Sequence, residues 1–251
     1  MNAQVKFDYT DQLIVITGGT RGIGRALTEH FLRANAKVIA TYRSNDEKAE
    51  QLKTEYSDFS ERLILRKFDV SNAEEVKTFW TELSANHNNC SVLINNSGIR
   101  RDSVMASMEN SNWDAVLDTN LKGTFLMSKE AVLYFMKKRY GRIINMSSVG
   151  GKLGLPGQAN YAASKAAQVA MSKVLSKEVG KRNITVNNVL PGFIDTELLA
   201  DLPDEQIKEY KRQIPIKRFG TTTEVANTVL FLASKEAAYI NGASIEVSGG
   251  L

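Results

Sequence analysis

Hydrophobic positions along the chain fall into short β-branched runs, and longer amphipathic stretches separate these runs. The short runs predict seven strands, near Leu13–Thr17, Lys37–Tyr42, Leu63–Phe68, Val92–Asn95, Arg142–Met146, Thr185–Leu190 and Ser244–Val247. Between them, apolar residues recur at helical spacing and predict helices near Ile23–Ala34, Glu47–Glu55, Ala73–Ala85, Trp113–Lys138, Tyr161–Val179 and Thr223–Ala233. Strands and helices therefore alternate along the whole sequence.

This alternation indicates an α/β protein built on a parallel sheet with helices on both faces. Right-handed crossovers make a doubly wound, Rossmann-like sheet of seven strands the simplest topology. No segment of about 20 to 50 residues repeats, and no low-complexity linker interrupts the chain, so we predict one domain over residues 1–251. Ligands of such sheets bind beyond the carboxyl ends of the strands, where we expect the functional residues.

Composition narrows the class of protein. With 43% hydrophobic and 24% charged residues among 251, the chain has a globular composition, which excludes disordered and fibrous proteins. Its aliphatic runs are too short to span a membrane, and its first residues lack the apolar core of a signal peptide, so we expect a cytoplasmic protein. A single cysteine, Cys90, and two histidines predict no disulfide and no metal site. The net charge of +4 suits an anionic ligand without requiring nucleic acid.

A glycine-rich loop follows the first predicted strand. Gly18, Gly22 and Gly24 lie directly before the first helix. Glycines let a backbone approach a pyrophosphate closely, and the helix N-terminus attracts its negative charge. A tight strand-to-helix turn without a ligand is the alternative interpretation, since the spacing differs from the usual Gly-x-Gly-x-x-Gly. The position after the first of seven strands favours the phosphate site.

The end of the second strand indicates which dinucleotide binds. An NAD site usually places a carboxylate about 20 residues beyond the first glycine, to hold the ribose hydroxyls. Here no carboxylate precedes Asp46, and Arg43 occupies the region, with Arg21 in the glycine loop. Two guanidinium groups suit the 2′-phosphate of NADP through charge-assisted hydrogen bonds. We therefore predict NADP(H), against the alternative that Arg43 is only an exposed loop residue.

A candidate proton-transfer group lies in the middle of the chain. Tyr161 and Lys165 are four residues apart and share one face of a helix. A phenol with a pKa near 10 is a poor acid at neutral pH, and a neighbouring ammonium would lower that pKa. Such pairs are common on helix surfaces. Ser148 favours function here, because it follows the fifth strand and converges on the same rim of the sheet.

Asn120 adds a further polar position. Trp113, Val116, Leu117 and Leu121 form an apolar stripe, and Asn120 lies on it. We expect this amide to be buried and hydrogen-bonded. A structural amide that bends or pairs helices is as consistent with the periodicity as a catalytic residue.

These motifs together resemble those of the short-chain dehydrogenase/reductase family, over the whole chain and in the same order. The motifs are Thr17-Gly18-x-x-x-Gly22-x-Gly24, Asn95-Asn96-Ser97-Gly98, Asn120, Ser148, Tyr161-x-x-x-Lys165 and Pro191-Gly192. The resemblance implies a single Rossmann-like domain that assembles into a homotetramer. Ser97 is a departure, since the family commonly has alanine there, and a small side chain still fits.

The resemblance also implies roles for individual residues. Tyr161 would protonate the substrate carbonyl oxygen, Ser148 would polarise it, Lys165 would lower the tyrosine pKa and hold the nicotinamide ribose, and Asn120 would position a relay water. The implied NADP(H) contacts are Gly18, Thr20, Arg21, Gly22, Ile23, Gly24, Arg43, Asp69, Val70, Asn96, Tyr161, Lys165 and Ile194.

Within this family the chain is most similar to the bacterial 3-oxoacyl-acyl-carrier-protein reductases of fatty-acid synthesis. The similarity lies in residues 98–102, 136–144, 157–161, 231–234 and 237–240. It implies NADPH-dependent reduction of a 3-oxoacyl chain on acyl-carrier protein to the (3R)-3-hydroxyacyl product. Arg139 and Arg182 would dock the acidic carrier, although Arg139 also suits a helix C-terminus and Arg182 is widespread in the family. Asn183, usually glycine, and the variable substrate loop over residues 194–216 leave the acyl specificity open.

Other functions remain as alternatives. The same chemistry could act on acetoacetyl-coenzyme A, a polyketide, a sugar or a steroid ketone. A non-catalytic nucleotide-binding relative would not need the intact Asn120, Ser148, Tyr161 and Lys165. A serine hydrolase is excluded by the missing Gly-x-Ser-x-Gly elbow. Nucleic-acid binding is supported only by Lys137-Lys138-Arg139, which is more simply a solvated helix end.

Overall fold

Seven parallel strands form one sheet at the centre of the fold. The computed structural model describes residues 7–197 and 203–251. The strands are β1 (Leu13–Ile16), β2 (Lys37–Tyr42), β3 (Leu63–Lys67), β4 (Cys90–Asn95), β5 (Gly141–Met146), β6 (Ile184–Pro191) and β7 (Ser244–Val247). Their order in the sheet is β3-β2-β1-β4-β5-β6-β7, and each neighbouring pair is parallel. The predicted doubly wound topology is confirmed.

Helices cover both faces of the sheet. They are α1 (Gly22–Arg33), α2 (Asp46–Glu55), α3 (Ala73–Asn86), α4 (Asn110–Leu117), α5 (Gly123–Lys138), α6 (Gly150–Leu153), α7 (Ala159–Val179), α8 (Asp204–Gln213) and α9 (Thr222–Ala233). Because side chains alternate along a strand, Ile14 packs with Phe31 of α1 on one face, whereas Val15 packs with Met127 of α5 on the other. Among the described residues, no helix is both long and apolar enough to cross a membrane.

The chain reverses its direction of winding at β1. After β1 it forms β2 and β3 on one side, and it then returns to place β4 on the other side of β1. A crevice therefore opens beyond the carboxyl ends of β1 and β4, as it does at such reversals generally. The glycine loop after β1 and residues 95–98 after β4 border this crevice.

The predicted helix Trp113–Lys138 differs in one respect from the structure. The helix begins earlier, at Asn110, and a π-helical turn over Asp118–Lys122 separates α4 from α5. A π turn adds a residue to one helical turn and often occurs at functional sites. It allows both Thr119 and Asn120 to be buried.

A polar row crosses the sheet on the α5 and α7 side. We use this name for four residues that lie opposite one another on adjacent strands: Asn95, Asn145, Asn188 and Ser244. Asn95 Nδ2 donates to Asn145 Oδ1 at 2.7 Å, and Asn188 Nδ2 donates to Ser244 Oγ at 3.2 Å. Ser128 of α5 accepts a bond from Asn95, and Ser172 of α7 accepts one from Asn145. The polar row thus ties the two longest helices to the sheet.

The predicted substrate loop, residues 194–216, contains helix α8, which the sequence analysis did not predict. Residues 198–202 of this loop lie outside the described residues. So do residues 1–6, where the sequence predicts no signal peptide. Tyr210 of α8 stacks on Phe193, with ring centroids 4.6 Å apart. This contact places α8 beside the carboxyl end of β6.

Candidate active site

The glycine loop folds back tightly on itself. Gly18 and Gly22 have positive φ angles of 63° and 52°, which favour glycine. A Cβ atom on Gly24 would lie 2.0 Å from the Gly18 carbonyl oxygen, so no larger residue fits there. The Gly19 amide donates to the Thr41 carbonyl at 3.0 Å and holds the loop against the end of β2.

The N-terminus of α1 suits an anion. Arg21 is the N-cap residue in extended conformation, no side chain caps the helix, and its first turn contains no acidic residue. Space around Gly22 is open, since a Cβ atom there would meet no atom within 4 Å. Free amide groups and a positive helix end fit a pyrophosphate. Of the other predicted contacts here, Thr20 is buried, and Ile23 packs against the core.

Arg43 and Asp69 lie together beyond β2 and β3. Arg43 Nη1 is 3.5 Å from Asp69 Oδ2, and about half of the arginine side chain is exposed. Burial raises the pKa of Asp69, but hydrogen bonds from Ser71 and the charge of Arg43 outweigh that effect and leave the pKa below its usual value. Val70 is buried against Gly123 of α5. Arg43 is thus charged and accessible at the predicted 2′-phosphate position.

Asn96 supports the glycine loop. Its Nδ2 donates to the carbonyl oxygens of Thr17 and Gly18, each at 3.0 Å. Thr17 Oγ1 in turn accepts the backbone amides of Asn96 and Ser97 at 2.9 Å. The side-chain NH2 group of Asn96 is thus hydrogen-bonded to the backbone of the glycine loop, and it stabilises the conformation of this loop.

The four predicted catalytic residues lie around two glycines at the carboxyl edge. A Cβ atom on Gly98 would lie 3.3 Å from Asn120 Oδ1 and 3.6 Å from Lys165 Nζ. A Cβ atom on Gly150 would lie 3.2 Å from Ser148 Oγ and 3.5 Å from Tyr161 Cε1. The arrangement brings a phenol, an amine, an amide and a hydroxyl to one rim.

The acidity of Tyr161 differs from the prediction. Desolvation raises the pKa of this phenol above its ordinary value, and a hydrogen bond with Ser148 and the charge of Arg100 only partly offset the increase. The net shift is opposite to the predicted lowering, and the effect of Lys165 on this phenol stays a prediction. A raised pKa keeps the phenol protonated at neutral pH, which is the form that can donate a proton.

Lys165 is a buried amine close to the Tyr161 ring. Its side chain is only 4% exposed, and its Nζ donates to the Met146 carbonyl at 2.7 Å. Nζ lies 5.6 Å from the centroid of the Tyr161 ring. Burial lowers the pKa of Lys165 to about 8, so the ammonium is itself destabilised. A pKa of about 8 is still above neutral pH, so at pH 7 the amine remains mostly an ammonium.

Asn120 is buried and fully engaged by the surrounding backbone and by α7. Its Oδ1 accepts the Ile99 amide at 2.8 Å, and its Nδ2 donates to the Ile99 carbonyl at 3.1 Å and to Ser164 Oγ at 3.2 Å. Its backbone carbonyl accepts bonds from Thr124 and Gln168. The structural interpretation of this amide is thus observed, and its role in a water relay stays a prediction.

Three predicted residues lie away from the crevice or point elsewhere. The Ile194 side chain is buried in the core beneath Gly220. Arg139, at the C-terminus of α5, and Arg182, before β6, are exposed at the amino edge of the sheet. The six residues of β5 separate that edge from Ser148 by about 20 Å. The structure therefore does not bring the predicted docking arginines to the site of their own chain.

Sequence reasoning missed a charged group beside Tyr161. The Arg100 guanidinium carbon lies 5.8 Å from the centroid of the Tyr161 ring. Arg100 pairs with Asp102, and Gln158 Nε2 donates to Asp102 Oδ2 at 3.2 Å. The available signal was position, because Arg100-Arg101-Asp102 directly follow the end of β4 at the ligand-binding edge. The described residues contain no cluster of three or more potential metal ligands.

A phosphate cradle at the winding reversal, with an acid–base rim beside it, defines a Rossmann-type oxidoreductase that uses a nicotinamide cofactor. Over residues 18–251 the chain matches the family model described as enoyl-(acyl carrier protein) reductase. The chain belongs to the short-chain dehydrogenase/reductase family.

Curated relatives are similar over nearly the entire length. The 3-oxoacyl-[acyl-carrier-protein] reductase FabG of Staphylococcus aureus is 41% identical over 94% of this chain and 96% of its own. The 3-oxoacyl-[acyl-carrier-protein] reductase FabG of Escherichia coli is 39% identical over 97% of this chain and 98% of its own. Nodulation protein G of Rhizobium sp. is 40% identical over 98% of both chains. The predicted resemblance to these reductases is confirmed.

Proposed function

We propose that this protein reduces 3-oxoacyl-acyl-carrier protein to (3R)-3-hydroxyacyl-acyl-carrier protein with NADPH, as a step of fatty-acid synthesis. A single domain over residues 1–251 would carry this activity. The observation that carries the proposal is the placement of Tyr161 and Ser148 at the crevice that also borders the phosphate cradle. The reductase names of two similar relatives support the choice of substrate.

The residues divide the chemistry among them. NADPH, when bound, supplies the hydride. Ser148 hydrogen-bonds the substrate carbonyl oxygen, and Tyr161 donates its phenolic proton to the same oxygen as negative charge develops there. Lys165 holds the nicotinamide ribose, and Asn120 fixes the loop after β4 and positions a relay water. Desolvation raises the pKa of Tyr161, which keeps the phenol in the protonated form that this step requires.

Apolar side chains near the site support an acyl substrate. Val104 and Met105 are 61% and 74% exposed on the segment that follows Asp102, and Leu153 is 43% exposed at the end of α6. The Ser103 amide donates to the Gly157 carbonyl at 2.9 Å, which joins the two loops next to Tyr161. Exposed apolar groups at a crevice suit a hydrocarbon chain.

A steady-state comparison tests the proposal. NADPH oxidation is measured with acetoacetyl-carrier protein, acetoacetyl-coenzyme A, a sugar ketone, a steroid ketone and a crotonyl thioester. The proposal expects the highest kcat/KM with the carrier-linked ketone and no reduction of the crotonyl double bond. Reduction of only a sugar or steroid ketone, or of only the crotonyl thioester, would reject it.

Arg43→Asp should reverse the coenzyme preference. Removing the cation and adding a carboxylate removes one or two charge-assisted bonds to the 2′-phosphate, each about 1.5–3 kcal/mol, and provides an acceptor for ribose hydroxyls. We expect kcat/KM for NADPH to fall roughly 100-fold while that for NADH holds or rises. Arg33→Asp, at the far end of α1, is the control. An unchanged NADPH preference would remove Arg43 from coenzyme recognition.

Arg139→Glu together with Arg182→Glu should weaken binding of the carrier protein only. Because both arginines lie at the amino edge, we propose that they dock a carrier whose acyl group enters the site of a neighbouring protomer. The KM for acetoacetyl-carrier protein should rise roughly tenfold, whereas the KM for acetoacetyl-coenzyme A should not change. Lys77→Glu on α3 serves as the control. Equal changes with both substrates would contradict docking at these arginines.

The proposal includes a homotetramer in the cytoplasm. Exposed apolar residues on the two longest helices support self-association, namely Phe125, Leu133 and Met136 of α5 and Val174 of α7. Light scattering should therefore give about four times the chain mass of 27.8 kDa.

A further inference from the structure

Arg100 is a second cation at the catalytic ring. Its guanidinium carbon is 5.8 Å from the Tyr161 ring centroid, a distance similar to the 5.6 Å of Lys165 Nζ. Unlike Lys165, which is buried, Arg100 has a side chain that is 46% exposed. A ligand hydrogen-bonded to the phenol can therefore also reach this guanidinium.

The position of Arg100 is fixed from the helix that carries Tyr161. Arg100 Nε donates to Asp102 Oδ1 at 3.3 Å, and its Nη2 pairs with Asp102 Oδ2. Asp102 also accepts a bond from Gln158, which is buried and precedes α7 directly. Gln158 lies three residues before Tyr161, so the guanidinium and the phenol are positioned by the same helix start.

Asp102 uses only part of the donor capacity of Arg100. A guanidinium has five N–H groups in a planar fork, and Asp102 engages Nε and Nη2. Within residues 7–197 and 203–251, no acceptor binds Nη1. The free donors of Arg100 are available to substrate.

We propose that Arg100 is a specificity-determining residue that binds the C1 oxygen of a 3-oxoacyl substrate. In such a thioester the C1 and C3 carbonyl groups are one carbon apart, so Tyr161 and Arg100 can each bind one of the two oxygens. A ketone without an oxygen at C1 has no group for Arg100. This inference rests on the proposed function and adds the feature by which the site selects a 3-oxo thioester over an isolated ketone.

Arg100→Met tests the assignment with two substrates. kcat/KM is measured for acetoacetyl-coenzyme A and for 2-pentanone, a ketone without the C1 oxygen. Loss of a charge-assisted hydrogen bond should lower the first value roughly 10- to 100-fold and the second by less than about threefold. Inhibition constants of free acetoacetate and 2-pentanone give the same comparison without turnover.

Two controls accompany the experiment. Arg101→Met changes the adjacent exposed arginine, whose Nη1 bonds only to the Arg100 carbonyl, and should leave both kinetic values unchanged. Arg100→Lys retains a cation and should recover part of the thioester activity. Binding of NADPH should be unaffected in all three variants, which verifies that they are folded.

The outcomes separate this inference from the proposed function. If the kcat/KM of Arg100→Met for acetoacetyl-coenzyme A equals that of the unmodified protein, the assignment of Arg100 is overturned and the proposed function stands. If both ketones lose activity equally and the pH profile of kcat shifts, Arg100 acts on the Tyr161 phenol rather than on C1. If the unmodified protein reduces 2-pentanone but no 3-oxoacyl thioester, both fail.

Discussion

Tyr161→Phe should lower kcat for acetoacetyl-carrier protein roughly a thousandfold. The variant keeps the aromatic ring and removes only the phenolic hydroxyl, the acid that protonates the substrate oxygen. General acid catalysis by a positioned side chain typically contributes about 10² to 10⁴ in rate. Binding of NADPH, measured by fluorescence titration, should change by less than about threefold, because the phosphate cradle is untouched.

The rate of reduction should also depend on pH in a defined direction. Reduction requires the protonated phenol, so the rate should fall as pH rises through the pKa of Tyr161, which desolvation raises above its ordinary value. The residual activity of Tyr161→Phe should not show this decrease at high pH. Tyr134→Phe is the matched control, since Tyr134 OH bonds the His87 carbonyl at 2.9 Å, away from the crevice. Full activity in Tyr161→Phe would remove this phenol from the mechanism.

Lys165→Met should abolish most activity and at the same time stabilise the fold. Burial lowers the pKa of Lys165 to about 8, from an ordinary value of about 10.4. This shift means that folding destabilises the charged amine by about 3 kcal/mol relative to the neutral amine. Losing the bond to the Met146 carbonyl costs about 1 kcal/mol. At pH 7 the variant should therefore gain about 1–2 kcal/mol in free energy of unfolding, while kcat falls roughly 100-fold.

The stability difference should depend on pH in a defined direction. The folded pKa lies below the unfolded one, so between about pH 8 and 10.4 the unfolded chain binds more protons and wild-type stability rises with pH. The advantage of Lys165→Met is therefore complete below pH 8 and disappears towards pH 10.4. Urea unfolding of both proteins at pH 7 and pH 10 measures this, with the exposed Lys177→Met as control. A variant less stable than wild type at pH 7 would contradict the cost of the buried ammonium.

The inner strands of the sheet could be predicted from the sequence because they are buried on both faces. Such strands are nearly continuous apolar runs, as in Leu13–Ile16. Their boundaries are less certain, and β4 begins at Cys90 rather than Val92 because the polar Ser91 conceals its start. The meeting of Ser148 with Tyr161 was also predictable, since a parallel sheet brings a strand end and the next helix start to one rim.

Other features depend on tertiary packing that periodicity does not record. The π turn at Asn120 follows from the bonds this residue makes with Ile99 and with α7, and an apolar stripe does not reveal them. The lowered pKa of Lys165 depends on how completely the amine is buried. Asn183 is easier to explain, since its left-handed φ of 59° is one that glycine adopts freely and asparagine tolerates.

The polar row also determines which arrangements of the sheet the chain can reject while it folds. Strands that are apolar at every position discriminate poorly between alternative registers of pairing. If one strand slipped by a single residue, its amide would leave its partners and be trapped in a dry interior, where each lost partner costs about 1–3 kcal/mol. The three asparagines and the serine thus favour one register of the strands, and the same asparagines hold α5 and α7, the helix that carries Tyr161.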